Sequence, residues 1–210
     1  MSYSNFLDIK DIINSESIIF DIGSNVGNFS KYICENNLYK KIYLFEPHQQ
    51  YFNKSKETLN IFKNLEFINK GVGNKNETLT LYCDSTNIGW NTFLKKDPNQ
   101  PDDFFLRMDS RKVDIITLDS FCLINNITKI DLIKIDVEGF EYKVIEGFLN
   151  TLLNIKPYFY IEVGWGTNHP EWDKCKIIYE KLFDLGYEKI FFSNKTEDIL
   201  FKPPINSSIH

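Results

Sequence analysis

Short apolar runs alternate along the chain with longer stretches in which apolar residues recur every three or four positions. The runs are rich in β-branched and aromatic residues, which suits strands buried on both faces of a sheet, and the longer stretches have the period of amphipathic helices. Strands are predicted at Ser17–Asp21, Lys41–Phe45, Leu65–Asn69, Leu132–Asp136, Tyr158–Val163 and Lys189–Ser193. Helices are predicted at Asn28–Asn36, Gln50–Phe62, Phe140–Leu153 and Trp172–Leu185. This alternation is typical of an α/β fold with a doubly wound, mostly parallel sheet.

One region, residues 74–117, interrupts the alternation. Two strand-like segments, ETLTLYCD and RKVDIITLD, flank a connection rich in Pro, Asn and Asp, which predicts a β-hairpin or flap inserted before the fourth core strand. Long insertions often form lids or substrate-binding loops, and a surface excursion without a role is the alternative. With 210 residues, 42% of them apolar, we expect a single domain over residues 1–210 that carries this flap.

Charge and composition narrow the classes of partner. The net charge is -5 and no cluster of Lys or Arg exceeds a pair, which argues against a nucleic-acid-binding surface. The first twenty residues contain acids and asparagines and do not resemble a signal peptide, and no window approaches the roughly 18 apolar residues of a membrane span. The four cysteines lie far apart, which favours reduced thiols. We therefore expect a soluble protein of the cytoplasm.

The segment FDIGSNVGNFS joins the first predicted strand to the first predicted helix, at the edge where open α/β sheets bind ligands. It is not a dinucleotide fingerprint, because Asn25 and Asn28 occupy the second and third glycine positions. Gly23 would let the chain turn beneath a flat ligand, and Gly27 would let the helix pack closely. Asp21 could bind an ammonium group or order a water molecule.

A carboxylate, Glu46, follows the second predicted strand. At the tip of that strand it could accept hydrogen bonds from both hydroxyls of a ribose, and capping of the helix after Pro47 is the alternative. A ribose site beside a turn that lacks a phosphate-binding loop predicts a nucleoside ligand with an amino-acid tail and no phosphate. S-adenosylmethionine is such a molecule. A dehydrogenase is disfavoured by the missing glycines.

Residues 18–163 resemble the FkbM family of S-adenosylmethionine-dependent O-methyltransferases. The resemblance is carried, in order, by IIFDIGSNVGNFS, LFEPHQQYF, GVGNKNETLTLY, VDIITLDSF, IDLIKIDVEGFEYKVIEGF and YFYIEV. It implies a Rossmann-like class I methyltransferase fold, S-adenosylmethionine as cofactor, and a small-molecule or glycan acceptor methylated on a hydroxyl, most plausibly of a sugar in a glycan or a secondary metabolite. Carried over residue by residue, it implies cofactor contacts at Asp21, Gly23, Asn25 and Gly27, ribose binding at Glu46, and adenine packing near Gly71 and Val72.

Methyl transfer to an alcohol needs an acceptor oxygen aligned with the methyl carbon and a base for the hydroxyl proton. Lys134 and Asp136 point to one face at the end of the predicted fourth strand, and Glu162 ends the fifth. Asp136 is the predicted general base, with Glu138 and His169 as alternatives. Lys134 would hold an acceptor oxygen or neutralise the acids.

Each of these residues also has a structural interpretation. Asp136 and Glu138 could cap the helix that begins near Gly139, Lys134 could simply pair with an acid, and His169 could be a surface loop residue. A pair of carboxylates could hold a divalent metal ion, but two or three oxygens are too few to identify such a site. The remaining functional alternatives are an N-methyltransferase for a small molecule and a catalytically idle, nucleoside-binding subunit.

Three tryptophans could stack on a sugar or act as ordinary cover residues: Trp90, Trp165 and Trp172.

Overall fold

The computed structural model describes residue 9 and residues 11–84, 91–94, 108–162, 172–192 and 198–204. In these residues the strands are β1 (Ile18–Ile22), β2 (Lys41–Phe45), β3 (Leu65–Ile68), β4 (Gly71–Val72), β5 (Glu77–Asp84), β6 (Asn91–Thr92), β7 (Met108–Ile116), β8 (Leu132–Ile135), β9 (Tyr158–Glu162), β10 (Glu188–Phe192) and β11 (Asp198–Lys202). The α-helices are α1 (Asn28–Asn36), α2 (Gln49–Thr58), α3 (Leu118–Ile124), α4 (Glu141–Glu146), α5 (Leu149–Ile155) and α6 (Trp172–Asp184).

The central sheet has the order β10-β11-β9-β8-β1-β2-β3. The pairs β1–β2, β1–β8, β2–β3 and β8–β9 are parallel, whereas β11 is antiparallel to both of its neighbours. The predicted mostly parallel, doubly wound sheet is therefore confirmed. Because β1 lies between β2 and β8, the strand order reverses there, and the carboxyl ends of these strands meet at one edge.

Strand β11 was not predicted from the sequence. Its central apolar run, Ile199–Phe201, is only three residues long and has charged residues on both sides, Asp198 and Lys202. Pairing with β9 and β10 nevertheless buries this strand between them. The predicted final strand, Lys189–Ser193, is thus an edge strand of the sheet, corresponding to β10.

The predicted single helix Phe140–Leu153 is wrong, because the structure contains two helices, α4 and α5, that are separated at Gly147. A Cβ atom at Gly147 would lie 2.0 Å from the backbone oxygen of Gly73, and the Gly147 carbonyl accepts a hydrogen bond of 2.9 Å from the backbone of Asp119. Tertiary contacts with two other segments therefore override a helical period that continues through the sequence.

Helix α3 was also missed, because its start had been assigned to a strand that ended at residue 119. Strand β7 ends at Ile116, and the hydroxyl of Thr117 accepts a hydrogen bond of 3.0 Å from the backbone N–H of Ser120. This is an N-terminal helix cap, which satisfies a backbone donor that the first turn leaves unpaired.

The predicted hairpin is present. β5 and β7 pair in antiparallel register from Glu77 opposite Ile115 to Asp84 opposite Met108, in a second sheet of order β4-β7-β5-β6. The connection between these strands is described only at residues 91–94. His169 and the side chains of Trp90, Trp165 and Trp172 lie outside the described residues, so their predicted roles stay predictions.

Apolar clusters cover both faces of the central sheet. Phe20, Ile22 and Ile133 belong to one cluster, and Ile19 and Leu132 belong to the other. Since side chains alternate along a strand, the second face also receives residues 21 and 134, which are charged. Within the described part of the chain, no helix is long and apolar enough to cross a lipid bilayer.

Candidate active site

The turn after β1 is built on a glycine in a left-handed conformation. Gly23 has φ +76°, and its N–H donates a hydrogen bond of 3.0 Å to the carbonyl of Phe45 at the end of β2. A Cβ atom on Gly23 would lie 1.8 Å from the backbone oxygen of Asp136. Gly23 therefore lets the turn after β1 lie directly against the protein's own backbone at the end of β8.

The next two predicted residues shape the start of α1. Asn25 has φ +50°, and its backbone N–H donates a hydrogen bond of 2.8 Å to Glu46 Oε2. Gly27 has φ +88°, and a Cβ atom there would lie 2.8 Å from Leu59 Cδ1 and 3.3 Å from Ser55 Cβ. Gly27 therefore lets the beginning of α1 pack closely on α2.

Glu46 connects the tip of β2 to the turn after β1. Its side chain is buried, with Oε2 bonded to the Asn25 amide and Oε1 accepting 2.7 Å from the backbone N–H of His48. Burial raises the pKa of Glu46 to about 7. His48 is the N-cap residue of α2, which has no side-chain cap hydrogen bond, so Glu46 bonds the residue before the helix and not an amide of the helix itself. Each carboxylate oxygen has a second lone pair, so the ribose role is compatible with these bonds and stays a prediction.

Gly71 and Val72 form β4 and are buried. They pair with Ile115 and Ile116 of β7, and a Cβ atom on Gly71 would lie 3.0 Å from the ring of Phe93. The residues just before β4 lie close to Glu46, since the Asn69 side chain donates a hydrogen bond of 2.8 Å to the Glu46 carbonyl. Adenine packing at Gly71 and Val72 stays a prediction.

A buried lysine lies between two acids at the end of β8. Lys134 is paired in register with Asp21 of β1, and its Nζ lies 2.8 Å from Asp136 Oδ2 and 3.8 Å from Asp21 Oδ1. Burial opposes the charge of Lys134, but Asp136 and Asp21 outweigh this effect and raise its pKa above the usual range. The alternative in which Lys134 pairs with an acid is therefore what the structure shows.

Asp21 is completely buried, and burial raises its pKa. Its Oδ2 accepts a hydrogen bond of 2.7 Å from Ser30 Oγ of α1, a residue that sequence reasoning did not single out. Among the described residues, its Oδ1 and the buried Ser24 Oγ accept or donate no hydrogen bond, although Oδ1 lies 3.8 Å from Lys134 Nζ. Because an unpaired buried polar atom is costly, these two atoms indicate that the turn is built to bond a polar ligand.

Glu162 ends β9 beside the Lys134–Asp136 pair. The parallel register that joins Ile135 to Ile161 brings Asp136 and Glu162 to the same level of the sheet. Burial, reinforced by the charge of Asp136, raises the pKa of Glu162 to about 8. The two strand ends therefore place the raised-pKa carboxyl group of Glu162 beside the carboxyl group of Asp136, an arrangement suited to moving a proton.

The loop from Asp136 to Phe140 is tightly constrained. Glu138 and Gly139 have φ +50° and +99°, and Glu141 Oε1 accepts hydrogen bonds from the backbone N–H groups of Val137 (3.3 Å) and Gly139 (3.1 Å). The N-cap of α4 is Phe140, so neither of the predicted acids occupies the cap position.

The sequence places Glu141 just beyond the fourth predicted strand, with Lys134, Asp136 and Glu138, but it assigns Glu141 no role of its own. Its carboxyl group is buried, and burial raises its pKa to about 7. A signal was available, because Glu141 precedes Val144 and Ile145 by three and four residues and therefore occupies the apolar face of its helix. A buried acid at such a position needs partners, which the loop amides supply.

Comparison with known proteins shows the family. The model of the Methyltransferase FkbM domain matches residues 21–189. The chain belongs to the FkbM methyltransferase family. It is an S-adenosylmethionine-dependent methyltransferase, as the resemblance implied, and the class I Rossmann-like fold is confirmed. A search of curated proteins found no significant match.

Solved structures share the fold of this FkbM methyltransferase at low sequence identity. Methyltransferase FkbM from Methylobacillus flagellatus is 14% identical with a TM-score of 0.57, and the match covers 90% of this chain but 44% of that one. An O-methyltransferase from Bacillus cereus in complex with S-adenosylhomocysteine is 12% identical with a TM-score of 0.53 and coverages of 96% and 80%. An rRNA methylase from Streptococcus thermophilus is 13% identical with a TM-score of 0.50 and coverages of 94% and 92%.

The edge of the sheet fits the cofactor of an FkbM methyltransferase. Asp21 Oδ1 and Ser24 Oγ offer unpaired polar atoms at the turn, and Glu46 offers a carboxylate at the tip of β2. The ammonium, carboxylate and ribose hydroxyl groups of S-adenosylmethionine can bond such groups. In the part of the chain that the structure describes, no group of three or more His, Cys, Asp or Glu residues is arranged to hold a metal ion.

Proposed function

We propose that this FkbM methyltransferase methylates a hydroxyl group of a sugar, in a glycan or a secondary metabolite. The observation that carries the proposal is the carboxyl group of Asp136, fixed on the buried Lys134 at 2.8 Å beside Glu162, whose pKa burial raises to about 8. An alcohol must lose its proton as its oxygen is methylated, whereas a neutral amine attacks without a base. A carboxylate held ready at this edge therefore favours oxygen over nitrogen.

Three residues of the chain have separate roles in the proposed reaction. S-adenosylmethionine, when bound, supplies an electrophilic methyl group on a sulfonium sulfur. Asp136 accepts the proton of the acceptor hydroxyl, and Lys134 pairs with the Asp136 carboxyl group and orients it. Such a base contributes about 10²–10⁴ in rate, and alignment of the acceptor contributes on the order of 7–11 kcal/mol. Glu162, protonated at neutral pH, can donate a hydrogen bond to an acceptor oxygen.

The charge of the chain supports a small-molecule or glycan acceptor over a nucleic acid. The net charge is -5, and Arg107 and Arg111 are the only arginines among 210 residues. Nucleic-acid binding draws most of its affinity from concentrated Lys and Arg that neutralise phosphates. Retention of the Lys134–Asp136 pair argues against a catalytically idle subunit, because such a subunit has no use for a buried ion pair at this edge.

The test is an acceptor screen with S-adenosylmethionine labelled on its methyl group, using sugars and their amino analogues, with NMR of the product to locate the methyl. Asp136→Asn should lower kcat about 10²–10⁴-fold while the Kd for S-adenosylhomocysteine changes little. Asp114→Asn makes the same chemical change on the hairpin, where Asp114 bonds Thr78, and should leave both values unchanged. Methylation of nitrogen alone, or full activity of the Asp136 variant, would refute the proposal.

A further inference from the structure

The described part of the connection between β5 and β7 makes a polar contact with the loop after β8. The hydroxyl of Thr92, in β6, donates a hydrogen bond of 2.8 Å to the backbone carbonyl of Glu138 and accepts one of 3.1 Å from the backbone N–H of Leu94. The Thr92 side chain is buried. Because the hydroxyl has a donor role and an acceptor role filled at once, its orientation is fixed, and it connects the hairpin backbone to the loop backbone.

The contact falls on the part of the loop that most needs support. Glu138 has φ +50°, a left-handed conformation that residues with a Cβ atom adopt at a cost. On the other side of the loop, Glu141 Oε1 accepts hydrogen bonds from the amides of Val137 and Gly139. The loop is therefore held between Thr92 of the hairpin and the carboxylate that begins α4.

Apolar contacts reinforce the same junction. The ring of Phe93, next to Thr92, lies with its centroid 5.0 Å from that of Phe140 at the end of the loop. The Asp136 end is fixed separately, since the Asp136 N–H donates 3.0 Å to the carbonyl of Ile22 and Gly23 lies against the Asp136 carbonyl. The loop is thus anchored to β1 at Asp136 and to Thr92 at Glu138, with only Val137 between the two anchor points.

We propose that Thr92 is a positioning residue: acting through the Glu138 carbonyl, it fixes the loop from residue 136 to 140 and with it the Asp136 carboxylate on Lys134. The hairpin thereby has a role in the geometry of the acid cluster, in addition to any contact it makes with an acceptor. The catalytic meaning of this role rests on the proposed function, whereas the contact can be tested without an acceptor.

The first experiment measures hydrogen exchange of the backbone amides of Val137 and Gly139 in the full chain. Thr92→Val keeps the shape but removes the hydroxyl, and exchange should become roughly three- to tenfold faster. Thr92→Ser keeps the hydroxyl and should restore the wild-type rate. Thr78→Val removes a threonine hydroxyl that bonds Asp114 elsewhere on the hairpin, and it should leave exchange in the loop unchanged.

The second experiment follows the titration of the Glu162 carboxyl by carbon NMR. Among the described residues, the charged or titratable groups that act most strongly on Glu162 are Asp136, Lys134 and Asp198. If Thr92→Val displaces Asp136, the Glu162 midpoint should fall toward its ordinary value, and Thr92→Ser should leave it in place. A residue that served only stability would lower the unfolding midpoint without moving this titration.

Wild-type exchange and an unmoved Glu162 midpoint in Thr92→Val would overturn the proposal, as would equal effects of the Val and Ser variants. Thr92→Ala, which cannot overpack the site, repeats both measurements if the Val variant folds poorly. Neither readout uses an acceptor, so a failed acceptor screen leaves this inference standing, and its failure leaves the proposed methyl transfer standing.

Discussion

The buried carboxyl group of Glu141 should make the stability of this protein depend on pH. Glu141 accepts two loop amides at 3.1 and 3.3 Å, and burial raises its pKa from 4.5 to about 7. Glu141→Gln keeps an oxygen for those amides but has no charge at any pH. The variant therefore isolates the cost of ionising this one group inside the fold.

The sign and size follow from linkage. Below about pH 4.5 the carboxyl is protonated in both folded and unfolded chains, so its protonated form stabilises the fold fully. As pH rises toward 7, the unfolded chain releases the proton first, and this contribution is lost. A pKa raised from 4.5 to about 7 corresponds, at about 1.4 kcal/mol per pH unit, to about 3 kcal/mol.

The assay is urea unfolding of wild type and variant at about pH 5 and about pH 8.5. The unfolding free energy of Glu141→Gln relative to wild type should increase between these two conditions by about 3 kcal/mol. Glu46 and Glu162 also have raised pKa values, but they are present in both proteins and cancel in the difference. Glu77→Gln, at an exposed position of β5, should show no such increase. A constant difference for Glu141→Gln would refute the reasoning.

Two further substitutions test the turn after β1. Gly23→Ala should lower the free energy of unfolding in urea by at least about 2 kcal/mol, since its Cβ would lie 1.8 Å from the backbone oxygen of Asp136. Gly186→Ala is the control, because Gly186 also has a positive φ but its Cβ would lie 3.2 Å from the nearest atom. This variant should lose less free energy of unfolding. Glu46→Ala should weaken the binding of S-adenosylhomocysteine, measured by calorimetry, at least about tenfold. The reason is that two backbone amides lose their acceptor, as does the ribose in its predicted site. An unchanged affinity would show that Glu46 does not bind the ribose.

The parallel core and the hairpin could be predicted from sequence because their signals are local. β1, β2 and β9 are apolar runs with turn residues after them, and the two long hairpin strands alternate across a connection rich in Pro and Asn. The alternation of strands with helices predicts that the sheet is mainly parallel, whereas the order of the strands came from the structure.

What sequence reasoning missed depends on contacts between distant segments. The break at Gly147 comes from the backbone of Gly73, which approaches to a distance that excludes a Cβ atom. The role of Thr92 depends on a hydrogen bond to Glu138, 46 residues away in the chain. Such contacts leave no period or motif. Asp136 and Lys134 could be predicted because their block has a distinctive sequence, but the pairing of Lys134 with Asp21 follows only from the register of β1 and β8.

The row formed by Asp21, Lys134 and Asp136 is difficult to explain as a means of stabilisation. It lies on a sheet face whose other residues, such as Ile19 and Leu132, are apolar, and both Asp21 and Lys134 are buried. Taking charges out of water costs several kcal/mol per ion, and apolar replacements of buried ion pairs are often neutral or stabilising. Contact between the charges therefore does not by itself account for their presence. The row ends at the edge where the strand order reverses and where open α/β sheets bind ligands, which supports the proposal that Asp136 is held there for an acceptor.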